Sequence, residues 1–162
     1  MTLHEYNSCV DMYADAVYRF ILKNIRDEET AQDVVQDAFA RLWEHVKEIA
    51  ADKARSFLFT TAYRCMIDNI RRDNRLAHYK QSLQTTEPET ENSYSDVKEI
   101  LDVAVMQLPE IQRSVLLLRD YEGYSYDEIG EITHLNETQV KVYIYRARTF
   151  LKEYIGKLDL VL

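Results

Sequence analysis

Residues that interrupt helices or cross-link the chain are scarce in this sequence. Its 162 residues include 3 glycines, 2 prolines and 2 cysteines. A sheet protein of this length needs many tight turns, and glycine and proline supply most of them. Apolar residues at helical spacing fill the long stretches between these few breaks. The sequence therefore predicts an all-α fold.

Several kinds of functional site are also missing. Cys9 and Cys65 form neither a CxxC pair nor a Cys/His ligand spacing, which argues against a disulfide framework or a zinc site. The sequence has no glycine-rich phosphate loop, nucleophile–base pair or metal-ligand constellation. We therefore expect no catalysis, no cofactor and no small-molecule substrate. It also has no apolar run of about 18 residues and no secretory leader pattern, so we expect a soluble, cytoplasmic protein.

The charge balance is acidic overall but basic in places. The formal net charge is −8 and the isoelectric point is about 5.0, which argues against non-specific coating of nucleic acid. Between residues 138 and 152, however, the chain has Lys and Arg side chains and no carboxylate. An acidic chain with local basic stripes is typical of a subunit that needs a partner to bind DNA tightly.

Residues 125–151 have the pattern of a DNA-binding helix-turn-helix. Ser125 and Glu128 have the spacing of a capping box for the first helix, and Asn136 with Gln139 forms a similar pair before the second. One face of the second helix is apolar and carries Val140, Ile144, Ala147 and Leu151. Its other faces carry groups suited to a major groove, namely Thr138, Gln139, Lys141, Tyr143, Tyr145, Arg146, Arg148 and Lys152. The alternative is an ordinary helix pair with a solvated basic face.

Three longer helices are predicted before this motif, at 3–24, 31–48 and 55–75. Asp33, Gln36 and Asp37 share one polar face of the second helix. That face is either simply solvated or a docking surface for a basic partner.

The third predicted helix combines aromatic and basic residues. Its basic side chains are Arg64, Arg71, Arg72 and Arg75, with Lys80 just beyond it, and its front carries Phe57, Phe59 and Tyr63. Aromatics followed by arginines suit melted or single-stranded DNA, where exposed bases stack and phosphates need cations. The alternative is that the aromatics belong to the core.

A polar, acidic stretch without periodicity divides the chain. We predict a flexible linker at 83–98, between a helical domain at 1–82 and a second at 99–162 that contains the helix-turn-helix.

Taken together, these segments resemble a bacterial RNA polymerase sigma factor of the small, extracytoplasmic-function (ECF) group of the sigma-70 family. The stretch AQDVVQDAFARLW at 31–43 resembles the family's polymerase-binding segment. The stretch at 55–72 resembles its promoter-melting and minus-ten-reading segment, and 108–153 resembles its minus-thirty-five-reading domain. The resemblance covers both predicted domains, in order, with the linker between them.

The resemblance implies partners and residue roles. The partners would be core RNA polymerase, promoter DNA and an anti-sigma factor. The polymerase contacts would be Asp33, Gln36 and Asp37, with Phe39, Leu42 and Trp43 mostly supporting the fold. The minus-ten contacts would be Ile49, Asp52, Lys53, Arg64, Asn69, Arg71, Arg72 and Arg75. The minus-thirty-five contacts would be Thr138, Gln139, Lys141, Val142, Tyr143, Arg146, Arg148 and Lys152.

Two positions depart from the family pattern. Many members have Asn in place of Arg64, and often Arg or another polar residue in place of Tyr143. The resemblance therefore predicts promoter reading without a particular promoter. The rival functions are a free-standing helix-turn-helix regulator, which would bind its site without polymerase, and a purely protein-binding helical adaptor.

Overall fold

The computed structural model describes residues 1–80 and 97–161, and side chains within 1–79 and 97–157. In these ranges all the regular elements are helices, joined by turns, which confirms the all-α prediction. The N-terminal bundle consists of α1 (Leu3–Ile25), α2 (Glu28–Glu44) and α3 (Ala54–Lys80). The C-terminal bundle consists of α4 (Val97–Met106), α5 (Glu110–Leu116), α6 (Tyr126–Thr133) and α7 (Glu137–Val161). All but the last two residues of the predicted linker at 83–98 lie outside the described residues.

The turn from α1 to α2 is short because both helix ends are capped locally. Arg26 adopts a left-handed conformation, with φ of 57°, and its N–H donates to the Leu22 carbonyl. Asp27 follows as the N-cap of α2, and its carboxylate accepts from the Glu29 and Thr30 amides at 3.1 and 3.4 Å. An acidic cap also interacts favourably with the positive end of the helix dipole. This cap starts α2 at Glu28, three residues before the predicted start.

The predicted end of the second helix was too late. The regular helix stops at Glu44, where the His45 ring lies 2.9 Å from the Arg41 carbonyl and helps to satisfy it. Val46, within the predicted bounds of 31–48, lies beyond the helix in a turn and is only half-buried. The third helix is longer than predicted, since it continues from Arg75 to Lys80.

Large apolar side chains fill the core of each bundle. Phe20, Leu42 and Leu58 are fully buried in the N-terminal bundle, and Ile129 and Ile132 are fully buried in the C-terminal bundle. The last turn of α5 widens into a π-helical segment, Leu117–Tyr121, and the chain then turns through Gly123 at φ of 76°. A left-handed φ after a helix favours glycine.

The two bundles pack against each other and share one hydrophobic cluster. The rings of Phe59 and Tyr124, one from each bundle, meet edge to face with their centroids 5.1 Å apart. Ser114 donates to the buried Asn24 side chain at 2.9 Å across the same boundary. The sequence predicted two domains but did not predict that they would be in contact.

Candidate nucleic-acid interface

Both predicted caps of the helix-turn-helix are formed. The Glu128 amide donates to Ser125 Oγ at 3.2 Å, and the Ser125 amide donates to the Glu128 carboxylate at 3.3 Å. At the start of α7, the Gln139 amide donates to Asn136 Oδ1 at 2.8 Å, and the Asn136 amide donates to Gln139 Oε1 at 3.0 Å. Gln139 therefore uses its side-chain oxygen within the protein and keeps only its NH₂ group for a base.

The turn between these helices requires very close backbone approach. His134 caps α6 in the left-handed region, with φ of 59°. The Leu135 amide then donates to the Gly130 carbonyl at 3.1 Å. A Cβ atom at Gly130 would lie 2.6 Å from the Leu135 carbonyl oxygen, too close for any side chain. Gly130 therefore fixes the angle between the two helices, although a glycine inside a helix pattern is a weak sequence signal.

One exposed side of α7 carries most of the predicted minus-thirty-five contacts, and we call this side of the helix the reading face. Val140, Ile144 and Ala147 are buried, whereas seven predicted contacts are exposed, namely Thr138, Gln139, Lys141, Val142, Arg146, Arg148 and Lys152. Tyr143 is half-buried and packs against the core. Tyr145, which was not among the predicted contacts, is 72% exposed. Because residues 138, 142 and 145 follow one another at helical spacing, Tyr145 lies on the reading face and Tyr143 lies at its edge.

Ion pairs within the C-terminal bundle hold two of the cationic side chains. Lys141 pairs with Glu137 at 3.1 Å, one turn earlier on α7. Arg148 makes two hydrogen bonds to Asp120, and this bonding raises the pKa of its guanidinium. All four side chains are at least a third exposed, and exposed pairs of this kind stabilise proteins little. A DNA phosphate could therefore replace either carboxylate at small cost.

The basic side of α3 brings four of the predicted arginines together. Arg64, Arg71, Arg72 and Arg75 are exposed and lie within about a third of the helix circumference. Asn69 lies on another side of the helix, half-buried in an open cleft of about 410 Å³ between the bundles. Arg64 is already engaged, since its guanidinium lies 2.8 Å from Nε2 of His134 in the helix-turn-helix.

The predicted base-binding loop lies at the other end of α3. Ile49 is half-buried in the turn after α2, and Asp52 and Lys53 are exposed in a 3₁₀ turn, Ala51–Lys53, directly before α3. At 1.5 Å per residue, this loop is about 30 Å from Arg75. The structure therefore spreads the predicted minus-ten contacts along the whole helix.

The predicted polymerase contacts share one exposed face of α2. Asp33, Gln36 and Asp37 all point away from the buried side, which carries Ala31, Val34, Ala38 and Leu42. The expectation that Trp43 supports the fold was only partly right. Its ring contacts the ring of Tyr6 edge to face, with centroids 5.0 Å apart, but the side chain is 48% exposed.

Comparisons with known proteins match both halves of the chain. Residues 9–76 match the family described as Sigma-70 region 2, and residues 98–151 match Sigma-70, region 4. ECF RNA polymerase sigma factor SigL of Mycobacterium tuberculosis is 30% identical over 148 residues, which cover 85% of this chain and 81% of that protein. The chain belongs to the ECF sigma factors of RNA polymerase.

Other relatives of this sigma factor span nearly its whole length. SigM of Bacillus subtilis, an ECF RNA polymerase sigma factor, is 28% identical over 145 residues, covering 87% of this chain and 89% of that protein. The sigma factor RpoE of Bartonella quintana, solved with the anti-sigma factor NepR, superposes with a TM-score of 0.80 at 19% identity over 95% and 98% of the two chains. CnrH, solved with the cytosolic domain of CnrY, gives a TM-score of 0.68 at 22% identity over 94% and 88%. These structures establish a shared fold.

Membership of this family fixes the function in outline. The protein is an alternative sigma factor that directs promoter-specific transcription initiation. The N-terminal bundle contains the region 2 match and the C-terminal bundle the region 4 match, and we use these names below. The family consists of transcription initiation factors, which are not enzymes. The free-standing regulator and the adaptor, considered from the sequence, are therefore set aside.

The aromatics of region 2 are part of its core. Phe59 is fully buried and Tyr63 is 8% exposed, so neither can stack on a base in this conformation. Burial raises the pKa of Tyr63 to about 12, which keeps its hydroxyl neutral. Phe57 is half-buried beside His45, with ring centroids 5.9 Å apart. Phe59 and Tyr63 therefore belong to the core, which is the alternative that the sequence left open for the aromatics of this helix.

Two further absences concern the described residues only. Within 1–79 and 97–157, no cluster of three or more His, Cys, Asp or Glu side chains could hold a metal ion. Among the described helices, none combines the length and apolar character needed to cross a bilayer.

Proposed function

We propose that this sigma factor divides its work among three helices. The exposed face of α2 formed by Asp33, Gln36 and Asp37 binds core RNA polymerase. The basic side of α3, with the loop at 49–53, binds the minus-ten element as it melts, and the reading face of α7 binds the minus-thirty-five element as duplex. The proposed domains are 1–82 for region 2 and 99–162 for region 4, with the linker between them. We propose no enzymatic activity of its own and a cytoplasmic location beside the polymerase.

One observation carries this proposal. In a chain with a net charge of −8, the exposed face of a capped helix-turn-helix presents Lys141, Arg146, Arg148 and Lys152 without a carboxylate between 138 and 152. A helix that enters the major groove needs polar tips for bases and cations for flanking phosphates. The net charge of −8 disfavours non-specific binding to DNA, so recruitment to the promoter depends on the polymerase.

An anti-sigma factor is a further proposed partner. Two proteins of the same fold, RpoE and CnrH, were each solved in complex with another protein, the anti-sigma factor NepR and the cytosolic domain of CnrY. We propose that this protein is also held inactive by an anti-sigma partner until a signal releases it.

Transcription with purified components tests the function. Core polymerase is supplied with a pool of promoter fragments from the native genome, with and without this protein. Start sites that arise only when the protein is added are expected, and aligning them gives both recognition elements. Absence of stimulation, together with no co-elution with core polymerase, would contradict the proposal.

A charge reversal on α2 tests the docking face. We expect Gln36→Ala combined with Asp37→Arg to weaken polymerase binding at least tenfold, because the basic partner surface would lose an attractive group and meet a like charge. Asp11→Arg, an exposed reversal on α1, is the matched control. Circular dichroism should show unchanged helical content for both. Equal polymerase binding by the two variants would remove α2 from the proposal.

A further inference from the structure

The side-chain amide of Gln139 is held in one orientation at the start of α7. Its oxygen accepts from the Asn136 backbone amide at 3.0 Å, and the Gln139 backbone amide donates to Asn136 Oδ1 at 2.8 Å. A backbone N–H can only donate, so the Gln139 atom that faces it is the carbonyl oxygen and not the nitrogen. The side chain is exposed, and its NH₂ group is accessible as a hydrogen-bond donor.

This orientation limits which base edges Gln139 can read. A glutamine with a free side-chain amide pairs with adenine through two hydrogen bonds, one donated by its nitrogen and one accepted by its oxygen. Both groups must face the base together in such a pair, whereas the Gln139 oxygen faces the Asn136 amide. Gln139 therefore meets the groove as a donor. The acceptors that it can meet there are O6 and N7 of guanine, N7 of adenine and O4 of thymine.

Val142 supplies an apolar group at the centre of the reading face. At about 100° per residue, it lies about 160° around the helix from Val140 and from Ile144, which are both buried. Val142 itself is 38% exposed, and cations lie on either side of it, Arg146 on one and Lys141 on the other. Base edges lie along the middle of the major groove and phosphates along its rims. Val142 is therefore placed to contact a base.

Gln139 and Val142 are three residues apart on α7, so their Cβ atoms are about 5 to 6 Å apart. Thymine presents an acceptor and an apolar group side by side in the major groove, namely O4 and the C5-methyl group. We propose that Gln139 and Val142 together read one thymine of the minus-thirty-five element. The Gln139 NH₂ group donates to O4, and Val142 contacts the methyl group. This inference rests on the proposed function, because it places α7 in the major groove.

The cap at Asn136 makes this contact selective. A freely rotating amide could turn its oxygen toward the amino group of a cytosine in the same place. With the oxygen held by the Asn136 amide, the cytosine amino group would instead meet the NH₂ group of Gln139, and two donors cannot pair. Both groups would lose their hydrogen bonds to water without a replacement, which is unfavourable. We therefore expect discrimination against cytosine at this position.

Replacing thymine by deoxyuridine tests the methyl contact. Core polymerase carrying this sigma factor is bound to a labelled promoter found in the transcription experiment, and each thymine of the upstream element is replaced in turn. At one position the loss of the methyl group should weaken binding about fourfold. With Val142→Ala, the same replacement should change binding less than about twofold, because the apolar partner is already missing. Met12→Ala, which removes a 66% exposed apolar side chain of α1, is the matched control and should keep the full sensitivity.

Replacing the same thymine by 5-methylcytosine, with guanine opposite, tests the donor. This base keeps the methyl group but presents an amino group in place of O4, so wild-type binding should fall about tenfold. Gln139→Glu keeps an oxygen for the Asn136 amide and offers a second oxygen to the groove. This variant should bind the 5-methylcytosine promoter at least as well as the thymine promoter. Asn136→Asp adds the same charge at the same helix end, so it should weaken binding to both promoters and keep the preference for thymine.

Three results would overturn the inference. They are an upstream element without a thymine that responds to deoxyuridine, an unchanged deoxyuridine response in Val142→Ala, and a retained preference for thymine in Gln139→Glu. Failure of the proposed function is distinguishable, because the wild-type protein would then direct no transcription and no upstream element would be found.

Discussion

The two proposed DNA-binding surfaces of this sigma factor differ in how far they are exposed in the free protein. Region 4 presents α7 to solvent, with Lys141, Tyr145 and Arg146 exposed on a helix whose caps are complete. Region 2 holds Arg64 against region 4 and buries Phe59. Duplex DNA has a fixed groove, so its reader can be built in advance as a rigid helix. Melted DNA exists only after the bases unstack, so one group proposed to bind it, Arg64, can stay engaged until then, while Arg71, Arg72 and Arg75 are already exposed.

The variant with the largest expected effect tests whether region 4 binds DNA independently of region 2. Phe20 is fully buried in region 2 and packs on Phe59, with ring centroids 5.7 Å apart. Phe20→Ala should cost about 3 to 5 kcal/mol of region 2 stability, because it removes apolar packing and leaves a cavity. Trp43 is the only tryptophan and lies in region 2, so its fluorescence during denaturant unfolding reports this destabilisation. Binding to minus-thirty-five duplex should change less than about twofold if the reading face is independent of region 2. A parallel drop in duplex binding would contradict that independence.

The reading face itself should respond to removal of charge. Lys141→Ala combined with Arg146→Ala should lower affinity for the upstream element about 10- to 100-fold. The slope of log affinity against log salt should fall by about one for each DNA phosphate that no longer has a cationic partner. Titrations at several salt concentrations measure both quantities. Lys157→Ala removes one positive charge further along α7 and should leave both quantities unaltered. An unchanged slope in the double variant would move the reading face elsewhere.

Two tyrosines two residues apart should behave differently. Tyr145 is 72% exposed, so Tyr145→Ala should weaken duplex binding about three- to tenfold with unchanged thermal stability. Tyr143 packs against the core, so Tyr143→Ala should instead destabilise the protein by about 1 to 2 kcal/mol. Melting curves and duplex titrations of both variants distinguish these effects. Weaker duplex binding by Tyr143→Ala, with no effect of Tyr145→Ala on binding, would support Tyr143 as the DNA contact predicted from the sequence.

The smallest expected effect concerns helix caps. Hydrogen bonds from the Thr30 hydroxyl and from the Thr30 and Glu29 amides lower the pKa of Asp27, the cap of α2. Its stabilising contribution is therefore present above the unfolded pKa of about 4 and is lost as pH falls through the lower folded pKa. An asparagine at this position would cap the helix without titrating. The melting temperatures of wild type and Asp27→Asn should differ less at pH 3 than at pH 6. The uncharged Asn136–Gln139 cap of α7 has no such dependence, and an Asn136→Ser variant should show a pH-independent shift.

Much of the fold was predictable because its causes are local. The caps at Ser125 and Asn136 depend on residues three positions away, and both form as the sequence predicted. The apolar stripe of α7 was also predicted, since burial follows helical spacing. The end of α2 was missed because the periodicity continues to Val46, while the hydrogen bonds around His45 stop the helix earlier.

The candidate site was predictable in part. The carboxamide, lysine and arginine side chains of α7 were identified because they interrupt an acidic sequence. The different exposure of Tyr143 and Tyr145 was not predicted, because it depends on which side of α7 faces α5 and α6. The buried state of Phe59 and Tyr63 depends on the neighbours that the bundle provides, and their spacing with the arginines suits a core and a DNA surface equally well.

Local patterns in the sequence by themselves determined the helices, the helix-turn-helix, the family and the sign of the charge on α7. Only the tertiary structure decided that regions 2 and 4 are packed together. The deciding contacts join residues far apart in the chain, such as Arg19 and Glu122, which are separated by 103 positions. Periodicity and capping act over a few residues, so they carry no information about such pairs. The packing of regions 2 and 4 depends instead on complementary charge, an aromatic contact and the shapes of two folded surfaces.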